Sequence, residues 1–122
     1  MARVENLAKT LKTLVNNTPD IEGAALIDND GLMIASSLDA DTDDDSVAAM
    51  SAALLGLGER ITTELERGSF ELVMLRGGDG YAVLVRCGPD AVLTILASGS
   101  AKLGLIFLDV KRAAKELSRT LG

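Results

Sequence analysis

The residues most able to do chemistry are carboxylates. Asp39, Asp41, Asp43, Asp44 and Asp45 crowd into one stretch, LDADTDDD. The D-x-D-x-D spacing of Asp39, Asp41 and Asp43 is that of a calcium loop, in which alternate carboxylates converge on one cation. Such a loop turns sharply at a glycine in its sixth position, which is Asp44 here, and closes on a glutamate in its twelfth, which is Met50. The stretch therefore reads as a solvated loop. Asp44 or Asp45 is expected to cap the helix that follows, with the other carboxylates favoured by its positive N-terminal end. No metal site is expected.

Other reactive groups are scarce. The chain has no histidine, which removes the commonest general base, the commonest metal ligand and any His-containing triad. Gly77-Gly78-Asp79-Gly80 has the glycines of a phosphate loop, but it joins two predicted strands and no Lys-Ser/Thr pair follows it to hold phosphate and magnesium. Ser98, Ser100 and Lys102 are close in sequence, yet a capping role accounts for Ser100. The lone Cys87 sits in an apolar run, cannot form an intramolecular disulfide and reads as a reduced core residue. No catalytic residue and no cofactor is assigned, and independent enzymatic activity is not expected.

The 122 residues suit one domain, 1–122, with a core of its own. Hydrophobic residues make up 48%, which favours a folded chain. Aromatics at 2% and a net charge of −6 are the reverse of what base stacking and phosphate binding require, so nucleic acid is not an expected partner. No apolar run reaches membrane-spanning length, and the first residues lack the basic-then-apolar pattern of a signal peptide. The expected location is the cytoplasm, without membrane insertion.

Periodicity places the elements. Val4, Leu7, Leu11, Leu14 and Val15 mark an amphipathic helix over Ala2–Asn16, which Asn17 can cap and Pro19 keeps from resuming. Ile21–Asp28 and Leu32–Ser37 read as strands joined by an Asp30-Gly31 turn. Ser46–Arg67 reads as a helix ended by Gly68. Ser69–Arg76, Tyr81–Cys87 and Ala91–Ala97 follow as strands with short turns, which favours an antiparallel meander. The almost wholly apolar Ala91–Ala97 suits a central strand covered on both faces. Ser100 can cap a final helix carrying Leu103, Ile106, Phe107, Val110, Ala114, Leu117 and Leu121. The result is an α+β domain, α-β-β-α-β-β-β-α, with a five-stranded antiparallel sheet, the terminal helices on one face and the central helix on the other. Eight of the basic residues lie in the terminal helical stretches (Arg3, Lys9, Lys12, Lys102, Lys111, Arg112, Lys115, Arg119), so a basic side and an acidic side are expected.

The central helix draws the most attention. Val47, Met50, Leu54, Leu57, Ile61 and Leu65 repeat at helical spacing and read as the stripe facing the chain's own core. Ala49, Ala53 and Gly56, continued by Arg60, form a second strip of small residues. Ala48, Ala52 and Leu55 are apolar on positions that this reading turns away from the core. A helix apolar nearly all round is normally covered on more than one side, so a partner is expected there.

The pattern resembles the Roadblock family of dynein light chains, most closely its prokaryotic MglB-like branch. The resemblance covers essentially the whole chain. It is carried by the IEGAALIDNDGLMIASS hairpin, the AAMSAALLGLGER helix, the strand pair DGYAVLVRCGPDAVLTILA and the final KLGLIFLDVKRAAKEL. It implies a homodimer, or a heterodimer with a related chain, in which central helices meet across a two-fold axis and an edge strand pairs with its mate. On this sequence the dimer interface then falls to Ala49, Ala53, Gly56, Arg60, Phe70, Leu72 and Met74. It further implies binding to a small Ras-like, MglA-like GTPase whose hydrolysis the dimer modulates without supplying a catalytic arginine. The implied contacts are Ala52, Leu55, Glu59, Thr63 and Glu66. A structural scaffold or motor-adaptor subunit using the same dimer surface is the alternative. A small-molecule sensor is disfavoured, because no cluster of polar groups is suited to orient a ligand.

Overall fold

The computed structural model describes residues 2–121. Its elements are α1 (Ala2–Asn17), β1 (Ile21–Asp28), β2 (Met33–Ser37), α2 (Asp44–Glu64), β3 (Leu72–Gly77), β4 (Gly80–Cys87), β5 (Ala91–Ser98) and α3 (Leu103–Leu121). The expected element order is therefore the observed one. All strand pairs are antiparallel, in the order β2-β1-β5-β4-β3. β5 lies at the centre, and its continuous apolar sequence is buried from both faces.

Side chains alternate across the sheet with a period of two, which splits the interior into two layers. On one face Leu93 and Ile95 of β5 join Leu26 and Val83 beneath α1 and α3, which bury Leu7, Leu11, Ile106, Val110, Ala114 and Leu117. On the other face Val92 joins Ala25, Ile27, Leu84 and Phe70 beneath α2. The two terminal helices thus share a face, which also gathers their basic residues. The acidic loop leads into α2 on the opposite face. The β4–β5 turn is held tightly to α3: Gly88 has φ +73°, and a Cβ there would lie 2.7 Å from Ser118 Oγ.

Cys87 ends β4 in the α3-facing core and is 1% exposed. Its thiol donates to the carbonyl of Ala114 at 3.2 Å. Burial pushes the thiol up to about 11, because the thiolate would lose its hydration. The sign follows from linkage. The stabilisation is complete below the ordinary thiol range and is lost as pH rises toward the folded-state value. An alkylating reagent at pH 8 should leave native Cys87 unmodified and label it rapidly in urea, read by intact mass. Labelling of the native chain at the denatured rate would contradict this burial.

Both ends of α2 differ from the sequence expectation. The helix begins at Asp44, so the cap is Asp43 rather than Asp44 or Asp45. Asp43 accepts from the Ser46 hydroxyl and from the backbone N–H groups of Asp45 and Ser46. Those bonds, the Ser46 hydroxyl first, hold its carboxyl below the ordinary range. Their stabilisation is present at neutral pH and is lost as the group protonates in acid. Asp44 instead accepts from the Ser36 hydroxyl at 2.9 Å, tying α2 to β2.

At the far end the helix stops before Gly68. Arg67 N–H donates to Thr62 O at 2.7 Å and Glu66 N–H to Thr63 O at 3.1 Å, a Schellman closure. Glu66 occupies the left-handed position of that closure, with φ 56°. A side chain there costs about 1–2 kcal/mol, against about 0.4–1 kcal/mol of extra unfolded-state freedom for glycine. Glu66→Gly should therefore stabilise the chain by about 0.5–1 kcal/mol, read as a higher urea midpoint at unchanged slope.

Candidate functional site

The outer face of α2 is the feature the fold leaves unexplained. The sequence reading turned the whole bulky stripe inward; the structure keeps Val47 and Leu54 packed against the core beneath α2 and turns the other four residues outward. Met50 is 65% exposed, Leu57 54%, Ile61 48% and Leu65 62%. The buried residues of α2 are Ala48, Ser51 and Leu55. At 100° per residue Met50 and Leu57 stand nearly half a turn from Ala48 and Leu55, the buried residues two positions before them, and Ile61 about a third of a turn from Leu55. Small residues inward let the helix sit low on the sheet. The Asp30-Gly31 turn rests on it, a Cβ at Gly31 falling 3.5 Å from Ala52 Cβ.

Three contacts fix this phase. Ser51 and Thr94, buried at 4% and 5% exposure, satisfy one another through hydroxyls 2.8 Å apart. Phe70 lies against Gly58, where an added Cβ would fall 2.5 Å from its ring. Glu59 accepts from Arg86 at 2.7 Å. Arg86 also donates to Asn29 Oδ1 at 2.9 Å and to Ala91 O at 3.4 Å, which clamps the second half of α2 to β4. Arg86 has no special standing in the sequence beyond a lone cation in the apolar run YAVLVRC.

The residues implied as interface positions divide. Ala49, Ala53, Gly56 and Arg60 are exposed along α2, with Arg60 paired to Glu64 in an exposed i,i+4 bridge. Leu72 and Met74 are half-buried, their side chains turned to the α1/α3 face. Phe70 is a correction: it is 8% exposed, inside the core beneath α2, and offers no surface to a partner. Leu55 is another. At 2% exposure it belongs to the chain's own core and cannot touch a GTPase. Ala52 is half-buried, Glu59 is held by Arg86, and Thr63 and Glu66 are exposed. Residues absent from the sequence-based interface are Met50, Leu57, Ile61 and Leu65, whose bulk made them look like core. Leu75, 51% exposed, shares the α2-facing side of β3 with Val73.

The sheet offers a second open element. β3 pairs with β4 alone, so the backbone groups along its other edge have no strand partner. Such an edge is a template for pairing with another chain. α2 lies over β1, β2 and β5, α1 over β1 and β2, and α3 over β4 and β5. Among the described residues no group of three His, Cys, Asp or Glu could hold a metal ion. No helix among them is long and apolar enough to cross a membrane.

A stripe of exposed apolar residues and an open sheet edge are both features suited to protein contact. Comparison with known proteins agrees with the architecture. The Roadblock/LC7 domain profile matches residues 7–97. The chain belongs to the Roadblock/LC7 domain family. A relative in Methanocaldococcus jannaschii, the uncharacterized protein MJ1340, is 36% identical over 103 residues, covering 84% of this chain and 90% of its own. Among solved structures, Myxococcus xanthus MglB superposes with a TM-score of 0.90 at 19% identity, over 97% of this chain and 89% of that one. A structure described as MglB with tetrameric arrangement gives 0.87 at 23% identity, over 98% and 90%. At these identities the structural likeness establishes the shared Roadblock fold.

Proposed function

We propose that the chain is a non-catalytic homodimeric regulator that binds a small Ras-like, MglA-like GTPase and modulates its GTP hydrolysis. The observation that carries this reading is the apolar stripe Met50, Leu57, Ile61 and Leu65 standing exposed on a helix whose other side is already buried. Monomeric domains rarely leave such a patch in water. In the dimer, two α2 helices meet across a two-fold axis. Ala49, Ala53 and Gly56 allow close approach, and the bulky stripe fills the seam beside Arg60. The β3 edges pair, bringing Leu72 and Met74 alongside their mates. The tetrameric arrangement named for one MglB structure supports self-association as a habit of this fold. The GTPase then lies over the paired helices and meets Thr63, Glu66, the outer part of Glu59 and the margin of Ala52.

The first test is solution mass by light scattering across a dilution series, where a dimer is expected. The second is single-turnover GTP hydrolysis by an MglA-like GTPase with and without the protein. A changed rate supports regulation. An unchanged rate without binding to either nucleotide state would remove the GTPase from the reading. A dimer that recovers a motor chain or signalling complex from its own cell would instead favour the scaffold or motor-adaptor role.

A further inference from the structure

On the opposite side of the sheet, a groove of about 550 Å³ runs between α3 and the start of β3. Its floor is apolar, with Leu72, Val85 and Ala114, and its α3 wall carries Lys111, Lys115 and Arg119. Spacings of four place the three cations in one row along the helix. All three are exposed, and among the described residues none makes an ion pair. The acids of α3 point elsewhere: Asp109 and Glu116 line the separate groove between α3 and α1, beside Arg112 and Lys9. One helix has thus sorted its charge, placing a purely basic row on the β3 side and a mixed row on the α1 side. Glu71 is the one carboxylate at the basic groove's edge. Arg86 also borders it, but its guanidinium lies on the α2 side of the sheet, paired to Glu59.

We propose that this groove docks a short acidic segment with apolar side chains, contributed by a partner polypeptide. Charge complementarity selects the acid, and Leu72, Val85 and Ala114 select the apolar anchors. Lys111 to Arg119 spans about 12 Å of helix, the reach of about four extended residues, so the segment is short. The row stands out on a chain whose net charge is −6, where a surface cation without a partner has many acids to choose from. A lipid surface fits less well. The apolar groups are recessed below the cations rather than projecting past them, and the rest of the molecule repels an anionic bilayer. Base stacking has no exposed aromatic here, since Phe70 and Tyr81 are buried. The groove faces away from the outer side of α2, so GTPase binding does not bear on this proposal, while Leu72 on its floor also borders the β3 edge assigned to the dimer.

The test uses the full chain and a fluorescein-labelled peptide alternating Asp or Glu with Leu, followed by fluorescence anisotropy. Saturable, salt-sensitive binding is expected. Lys111→Glu, Lys115→Glu and Arg119→Glu together should weaken it by about tenfold or more. The control Lys9→Glu, Lys12→Glu and Lys102→Glu makes the same change in net charge away from the groove and should stay within about twofold. A peptide with Ser in place of Leu should bind about tenfold more weakly through loss of apolar burial. Should the triple variant lose helical circular dichroism, Lys115→Gln alone is expected to weaken binding about threefold. Absence of peptide binding, or equal loss in the groove and control variants, would overturn the proposal. So would binding of phosphatidylserine vesicles that needs the three cations while the peptide stays free.

Discussion

Leu57→Glu should leave the chain folded and split the proposed dimer into monomers, raising its dissociation constant by at least about a hundredfold, or about 2.7 kcal/mol. Leu57 is 54% exposed on the outer side of α2, so within one chain the carboxylate stays in water. At a two-fold seam the same substitution places two like charges in an apolar contact. Burying an unpaired charge costs several kcal/mol, more than the seam can absorb. Gly56→Glu makes a matched variant. A Cβ at Gly56 meets nothing within 4 Å, and glutamate is a better helix former than glycine by about 0.5–1 kcal/mol. Sedimentation equilibrium should give monomer mass for both, with unchanged far-UV circular dichroism. A variant that stayed dimeric at the wild-type concentration would remove α2 from the interface.

Leu57 is a position that a sequence reader assigns to the core, and the reason is physical. α1 and α3 each have a dominant apolar side against the sheet and a largely wet side, although Val4, Leu105 and Leu108 are exposed. Their phase is therefore legible from Leu7 and Leu11, or from Ile106, Val110 and Leu117. β1 and β5 were equally clear, because turns and apolar runs bound them tightly. α2 has apolar groups on both sides, and bulk alone chooses wrongly between them. Close seating on Ala25, Ile27 and Val92 requires small residues inward at Ala48 and Ser51, which frees Leu57 and Ile61 to face out. The sequence does reveal that α2 is apolar on more than one side, but it leaves open which side faces the chain's own sheet. The cap shows a milder version. Asp43, Asp44 and Asp45 are chemically alike, and only the backbone decides which one closes the helix. The Glu59–Arg86 clamp was illegible because its partners are 27 positions apart and neither is unusual alone.

Leu55→Ala carries the largest expected cost to stability, about 2–5 kcal/mol, as for other buried leucines truncated to a methyl group. Leu55 is 2% exposed and lies among Ala25, Ile27, Leu84 and Val92, with Phe70 tucked beside Gly58 in the same layer. The sheet beneath is held by hydrogen bonds on both sides of β5 and cannot rise to fill a void, so a cost toward the upper half of that range is expected. Against a total of about 5–15 kcal/mol, this is a large share. Met50→Ala, at a position 65% exposed, should cost no more than about 0.5 kcal/mol in the same measurement. Both are best made on the Leu57→Glu background, because dimer dissociation would otherwise enter the unfolding free energy and make it depend on concentration. Urea unfolding of the monomer then reads each side of α2 separately. A large loss at Met50 with little at Leu55 would mean that the helix is rotated about its axis, and that the exposed stripe is the chain's own core.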